Sequence, residues 1–236
     1  LFGGDTGSMD GLSALFVVII SVGAVAAVLY SRGYLAHCLA EKSPAHISLH
    51  YTALVAMFYA MLGVVLSDGG FSFLFFWELM TVASFLLILF DAQRREVRRA
   101  ALSYLIMMHI GFVLLVIGFV RLDAACGAAT FGALGDYFRT QPGLPLLLVF
   151  LAGFGMKAGL FPMHVWLPEA HPAAPSHVSA LMSGVMIKTG VYGILRVTAA
   201  LGEQPLLHTA GVILLAAGVV TGLWGVILAA MQNDVK

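Results

Sequence analysis

Charge and cysteine are what this sequence has least of. Only 10% of its 236 residues are Asp, Glu, Lys or Arg, and twelve cations balance twelve acids for a formal net charge of +0. With no basic excess there is no face for a nucleic-acid backbone, so no nucleic-acid partner is expected. The two cysteines, Cys38 and Cys126, stand outside any CxxC or Cys/His cluster. That argues against the ligand sets of iron–sulfur and structural zinc sites. Glycine is plentiful at 26 residues, yet no phosphate-cradling loop and no Ser-His-Asp arrangement of loop residues occurs. Neither a catalytic centre nor a cofactor is expected of this chain alone. Leu1 to Asp10 lack a basic n-region and a cleavage-type site, and do not read as a signal peptide.

What the chain has is apolar length. It is 61% hydrophobic, with mean hydropathy +0.98, and several runs reach the ~18 apolar residues of a membrane span. The expected class is an all-α polytopic membrane protein embedded in a lipid bilayer. Seven spans are predicted: Leu12 to Tyr30, Tyr51 to Leu66, Phe71 to Phe90, Ala100 to Val120, Leu144 to about Ala170 through a break at Pro162, His177 to Val197, and Leu206 to Met231. The outer loop from Leu122 to Gly143 has room for a short surface helix and shows no chemistry. Arg94, Arg95, Arg98 and Arg99 crowd one short link, which places that link in the cytoplasm. Alternation then puts Arg32, Lys42 and Lys236 inside as well, and Arg121, Arg139 and Arg196 outside.

Four titratable residues lie well inside the predicted spans: Glu78, His109, Lys157 and Lys188. Lys157 is twelve positions past Pro145, and Lys188 twelve past Ser176. At about 1.5 Å per residue both sit about 18 Å deep, near the middle of a ~30 Å hydrocarbon slab. An ammonium at that depth is costly, so each lysine is expected to face a protein or water-filled interior and to act there. Glu78 lies about 10 Å below the outer edge by the same count, and is expected to pair with a lysine. At about 4 Å and an effective dielectric near 20 such a pair gains about 4 kcal/mol. A pair that opens and closes switches a lysine between holding and releasing a proton. His109 reads as a packing residue. His164, His171 and His177 flank the break, and His177, which opens the helix of Lys188, is the favoured proton entry. Pro162 should open the helix around 158–161, and non-helical backbone at membrane depth survives only where it lines protein or water. Tyr104, Met107, Met108, Met182 and Met186 read as packing.

The words that carry most specificity are Phe76-Trp77-Glu78-Leu79-Met80, the run from Lys157 to His171, Pro175 to Leu181, and Ile187 to Gly193. They resemble the antiporter-like membrane subunits shared by respiratory complex I, Mrp-type sodium/proton antiporters and membrane-bound hydrogenases. The stretch from Pro168 to Lys188 is nearest to the hydrogenase-4 and formate hydrogenlyase branch. The resemblance implies a bacterial or archaeal inner (plasma) membrane and a proton relay of Glu78, Lys157 and Lys188. The implied partners are other membrane subunits and a hydrophilic hydrogenase or dehydrogenase arm. It also implies a division into 1–50 (a preceding helix and loop), 51–201 (a five-helix repeat with a broken helix) and 202–236 (the helix before a second repeat), so a piece of a longer subunit is expected. The leading expectation is proton translocation within a redox complex. The alternatives are an Mrp-type sodium/proton antiporter component and a non-pumping scaffold for redox partners.

Overall fold

The computed structural model describes residues 9–38 and 42–231. Residues 1–8 and Lys236, on which two of the expectations rest, lie outside the described residues. Ten α-helices are described: α1 (Gly11–Cys38), α2 (Pro44–Leu66), α3 (Gly70–Ile88), α4 (Arg95–Cys126), α5 (Leu134–Thr140), α6 (Gly143–Ala158), α7 (Leu167–Ala173), α8 (Ser176–Leu181), α9 (Ile187–Ala199) and α10 (Pro205–Met231). A π-helical stretch, Met182–Met186, joins α8 to α9 in one rod over Ser176–Ala199. Among the described residues six rods are long and apolar enough to cross a membrane, and α6 is a shorter apolar helix. The all-α polytopic class therefore stands. The 16 residues of α6 reach about 24 Å, short of a ~30 Å slab.

Local chemistry sets the ends. Ser43 accepts the His46 amide and Pro44 opens α2, the usual N-terminal pair. Gly159 stops α6 in the left-handed region at φ 72°, its amide closing on the Gly155 carbonyl. Pro162 then forbids a restart, and the chain turns irregularly until Leu167. The predicted break is therefore where Gly159 and Pro162 put it, and the expected surface helix in the 122–143 loop is α5.

Contacts between links define the two ends of the bundle. At one, Lys42 pairs with Asp91 at 2.6 Å and Arg99 meets Glu169 at 3.8 Å. At the other, the Gly70 amide donates to the Ala129 carbonyl, and Arg196 grips Asp10. That grip is bidentate, and the same guanidinium donates to the Ser13 hydroxyl and, through Nε, to the Tyr192 hydroxyl. Ser13 and Tyr192 both donate to the Val65 carbonyl, so one cluster ties α1, α2 and α9.

Arg196 holds the Asp10 carboxyl below its ordinary value of 3.8. A depressed carboxylate stabilises the fold above that ordinary value and loses its contribution as pH falls through the depressed one. Asp10 is about half exposed, so screening keeps the contribution on the order of 1 kcal/mol or less. Asp10→Asn should therefore unfold earlier than the parent at neutral pH, and the two melting curves should merge in acid. A gap that persists in acid would rule out the charge of Asp10 as its cause.

Helix association in lipid draws on close packing rather than on water exclusion. The centre of the bundle is a stack of rings: Phe73 and Phe154 each lie 5.4 Å from Trp77, and Phe150 lies 5.2 Å from Phe119. It sits directly behind Lys157. By contrast α10 buries only Ala210, and α1 only a few positions.

Candidate functional site

Lys157 is the penultimate residue of α6 and is 1% exposed. Its amine donates to the Thr81 hydroxyl at 2.8 Å and stands 5.1 Å from the centre of the Trp77 ring, both on α3. An ammonium has three donors; among the described residues only one has a protein acceptor. No carboxylate pairs with it among the described residues. The site is unfavourable for a fixed charge and suited to one that comes and goes.

The break beside it is satisfied group by group. The Leu160 amide donates to the Gly155 carbonyl, the Trp166 indole to the Met156 carbonyl, and the Phe161 amide to the Thr221 hydroxyl on α10. Open backbone at this depth would cost several kcal/mol per unmet group, so these three partners hold the irregular turn in place. The turn is thus a built feature.

A thread of hydroxyls leads away from Lys157. Thr81 passes its own hydrogen to the Trp77 carbonyl, and one turn on, Ser84 meets the Tyr104 hydroxyl at 2.5 Å. Tyr104 reaches Met186 sulfur, and Thr189 the Met186 carbonyl and Met80 sulfur. Tyr104 and Met186 were expected only to pack, and both are part of this buried polar seam.

The structure separates the predicted acid from the predicted lysines. Glu78 does not pair with Lys157 or Lys188. Its Oε1 lies 3.0 Å from His109 Nε2, on the neighbouring α4. His109, expected to pack, is half exposed and joined to a carboxylate. The reason is angular: on α3, Trp77 and Thr81 point at α6, while Glu78, one residue round, points at α4. Lys188 departs further from expectation. It is exposed on the outer side of α9, with its amine 2.5 Å from the Ser183 carbonyl in the π stretch. The buried face of α9 is formed instead by Thr189, Gly190, Tyr192 and Gly193.

His177 is buried at the arginine-rich end, and its Nε2 lies 2.8 Å from Nε2 of His50 on α2. A contact that short between two ring nitrogens holds one shared proton. Both Nδ1 atoms are buried without a partner among the described residues. Tyr34 edges onto the His177 ring and Phe90 onto His50. His50 went unnoticed in the sequence, because it opens no motif and lies before the predicted start of its span. His171 bonds Ser179, and His164 stacks on Phe161. Among the described residues no three His, Cys, Asp or Glu side chains gather to hold a metal ion.

Comparison with known proteins gives consistent likenesses. A family model described as NADH:quinone oxidoreductase/Mrp antiporter, transmembrane, matches residues 67–236. Hydrogenase-4 component B of Escherichia coli (strain K12) is 37% identical over 236 residues, 97% of this chain and 34% of that protein. The putative antiporter subunit mnhA2 of Staphylococcus aureus (strain MRSA252) is 33% identical over 233 residues, 97% of this chain and 28% of its own. Among solved structures, the Mrp complex from Dietzia sp. DQ12-45-1b superposes with a TM-score of 0.83 at 25% identity, over 96% of this chain and 24% of that one. The membrane-bound sulfane sulfur reductase, an archaeal respiratory membrane complex, gives 0.78 at 29% identity, over 94% and 36%. The chain spans about a third of the length of the curated relatives it matches.

Proposed function

This chain belongs to the NADH:quinone oxidoreductase/Mrp antiporter membrane family, and from that premise we propose that it translocates protons as an antiporter-like subunit of a redox complex in the inner (plasma) membrane. The observation that carries the reading is Lys157: a fully buried amine at the end of a broken helix, with one hydrogen-bond acceptor and no ion pair among the described residues. In this reading the five-helix unit over 51–201 holds Glu78, Lys157, His177 and Lys188, and His50 lies one residue before it. The His50–His177 pair takes a proton at the arginine-rich end, which on the positive-inside rule is the cytoplasmic one. Two facing imidazole nitrogens can pass a proton between them without the rings changing places. Lys157 receives it through the interior, with Thr81 able both to accept from the amine and to donate onward. Lys188, on the rod over Ser176–Ala199 that carries His177 in its first turn, serves as an outlying member of the same relay, and Glu78 sets the charge beside Lys157. The redox chemistry comes from elsewhere in the complex, through a hydrophilic hydrogenase or dehydrogenase arm, with other membrane subunits beside this one.

Likeness to Mrp proteins favours a second reading, in which sodium moves against the proton. Both are tested in the assembled complex in sealed vesicles, driven by its electron donor. Proton uptake is expected to persist without sodium, and His177→Phe should cut it by about tenfold or more while electron transfer continues. Uptake that demands sodium at a clamped potential supports the exchange reading. Full uptake in His177→Phe rules out the imidazole pair as the entry.

A further inference from the structure

The route from His177 to Lys157 makes no use of His109, yet Glu78 is docked on it. His109 Nδ1 lies 2.9 Å from the Leu105 carbonyl. A carbonyl only accepts, so Nδ1 carries a hydrogen. Nε2 then faces Glu78 Oε1 at 3.0 Å. Two bare lone pairs at that distance would repel, so the contact holds one proton, as imidazolium with carboxylate or as imidazole with carboxylic acid. The other carboxyl oxygen, Oε2, is buried without a partner among the described residues. Glu78 also stands three residues before Thr81, which holds Lys157. Positions three apart on a helix are neighbours, with Cβ atoms about 5–6 Å from each other. The carboxyl thus lies between two bases and is docked on one.

Building on the relay proposed above, we infer that His109 is a positioning residue that holds Glu78 away from Lys157 while a proton occupies the Oε1–Nε2 contact, and frees it when that proton leaves. The proton passes through the carboxyl to interior water on its inner side, where Oε2 is buried without a partner among the described residues. What remains is a neutral imidazole, still carrying its Nδ1 hydrogen, and a carboxylate. Their facing lone pairs push apart, and the carboxylate is free to take the unused donors of Lys157. Only N–H and O–H bonds change. Other ionisable groups on the helices packed against α4 are engaged elsewhere. Asp91, in the turn after α3, pairs with Lys42. Glu169 of α7 lies against Arg99, and His171 against Ser179. Asp136 and Arg139 of α5 pair with each other, while Tyr137 of α5 accepts from Arg121. Glu78, His109 and Lys157 remain as the interacting set, with Tyr104 of α4, held by Ser84, also within the field of Glu78.

The test uses the assembled complex with the full chain. His109→Gln keeps a hydrogen-bond donor but cannot take up a proton, whereas His109→Lys keeps a cationic donor. His109→Gln should lower coupled proton uptake by about tenfold or more, and His109→Lys, which holds its proton at neutral pH and so does not free Glu78, should fail to recover it. A Glu78→Gln/His109→Gln double variant should be no worse than Glu78→Gln, because His109 acts only through that carboxyl. Parental uptake in His109→Gln overturns the inference, and so does a loss that multiplies in the double variant. Lys157→Met is the reference: if it transports normally the relay itself fails, whereas its loss beside a fully active His109→Gln removes His109 alone.

Discussion

Lys157→Met is expected to abolish coupled proton uptake, by about a hundredfold or more, without unfolding the protein. The two halves of that result come from the same environment. The amine is shut away from water, held by one hydroxyl and the face of one indole. Taking an ammonium out of water costs several kcal/mol, and a single hydroxyl with a cation–π contact of about 2 kcal/mol offsets only part of it. A thioether of similar length fills the same space between Trp77 and Thr81 without that cost. Thermal stability should therefore hold or rise when the charge is removed. A structural lysine would show the reverse, since its loss would expose a void and an unpaired partner. The measurement is dye-monitored proton uptake beside the melting temperature of the purified complex. Normal uptake in Lys157→Met sinks the relay, and a collapsed melting temperature with lost uptake marks Lys157 as a structural tie.

The number of crossings was legible because hydropathy reports one dimension, position along the membrane normal. The same dimension placed Lys157 at mid-depth and located the break, where the helix stop at Gly159 and the proline at 162 act locally. It carries no information on azimuth. Lys188 stands at a matching count from the start of its span, yet lies on the outer side of its rod, since the π stretch advances the following turn and Gly190 and Gly193 take the inward face. Glu78 and Thr81 differ by less than one turn, yet one reaches α4 and the other α6. For the same reason the polar seam was hidden: Thr81, Ser84 and Thr189 are small and lie inside apolar runs where hydroxyls usually bond their own helix, as Ser21 does with Val17. His50 could have been found. It lies six residues beyond Ser43-Pro44, a helix-start signal that extends the second span back to include it. Partnership between histidines 127 positions apart is a property of the packed bundle.

Gly190→Val should have the largest structural effect of any single change in the bundle. A Cβ at Gly190 would lie 2.6 Å from the Ala158 nitrogen and 2.7 Å from the Phe154 carbonyl oxygen. Both are backbone atoms of α6, so no side chain can turn aside. The helices must separate, and overpacking of this kind costs about 1–3 kcal/mol even where a side chain yields. Here the separation would also pull α6 from the position that sets Lys157 on Thr81, and would disturb the carbonyls that close the break. Loss of assembly, read on a native gel and as a melting temperature lowered by several degrees, is expected even though valine is more apolar than glycine. Gly211→Ala supplies the contrast, since α10 leaves open space around that position, and alanine raises helix propensity by about 1 kcal/mol. It should assemble and melt at least as high as the parent. An intact, fully stable Gly190→Val would mean that α6 and α9 are not in backbone contact there. The buried lysine would then owe its place to something other than the fit of these two helices.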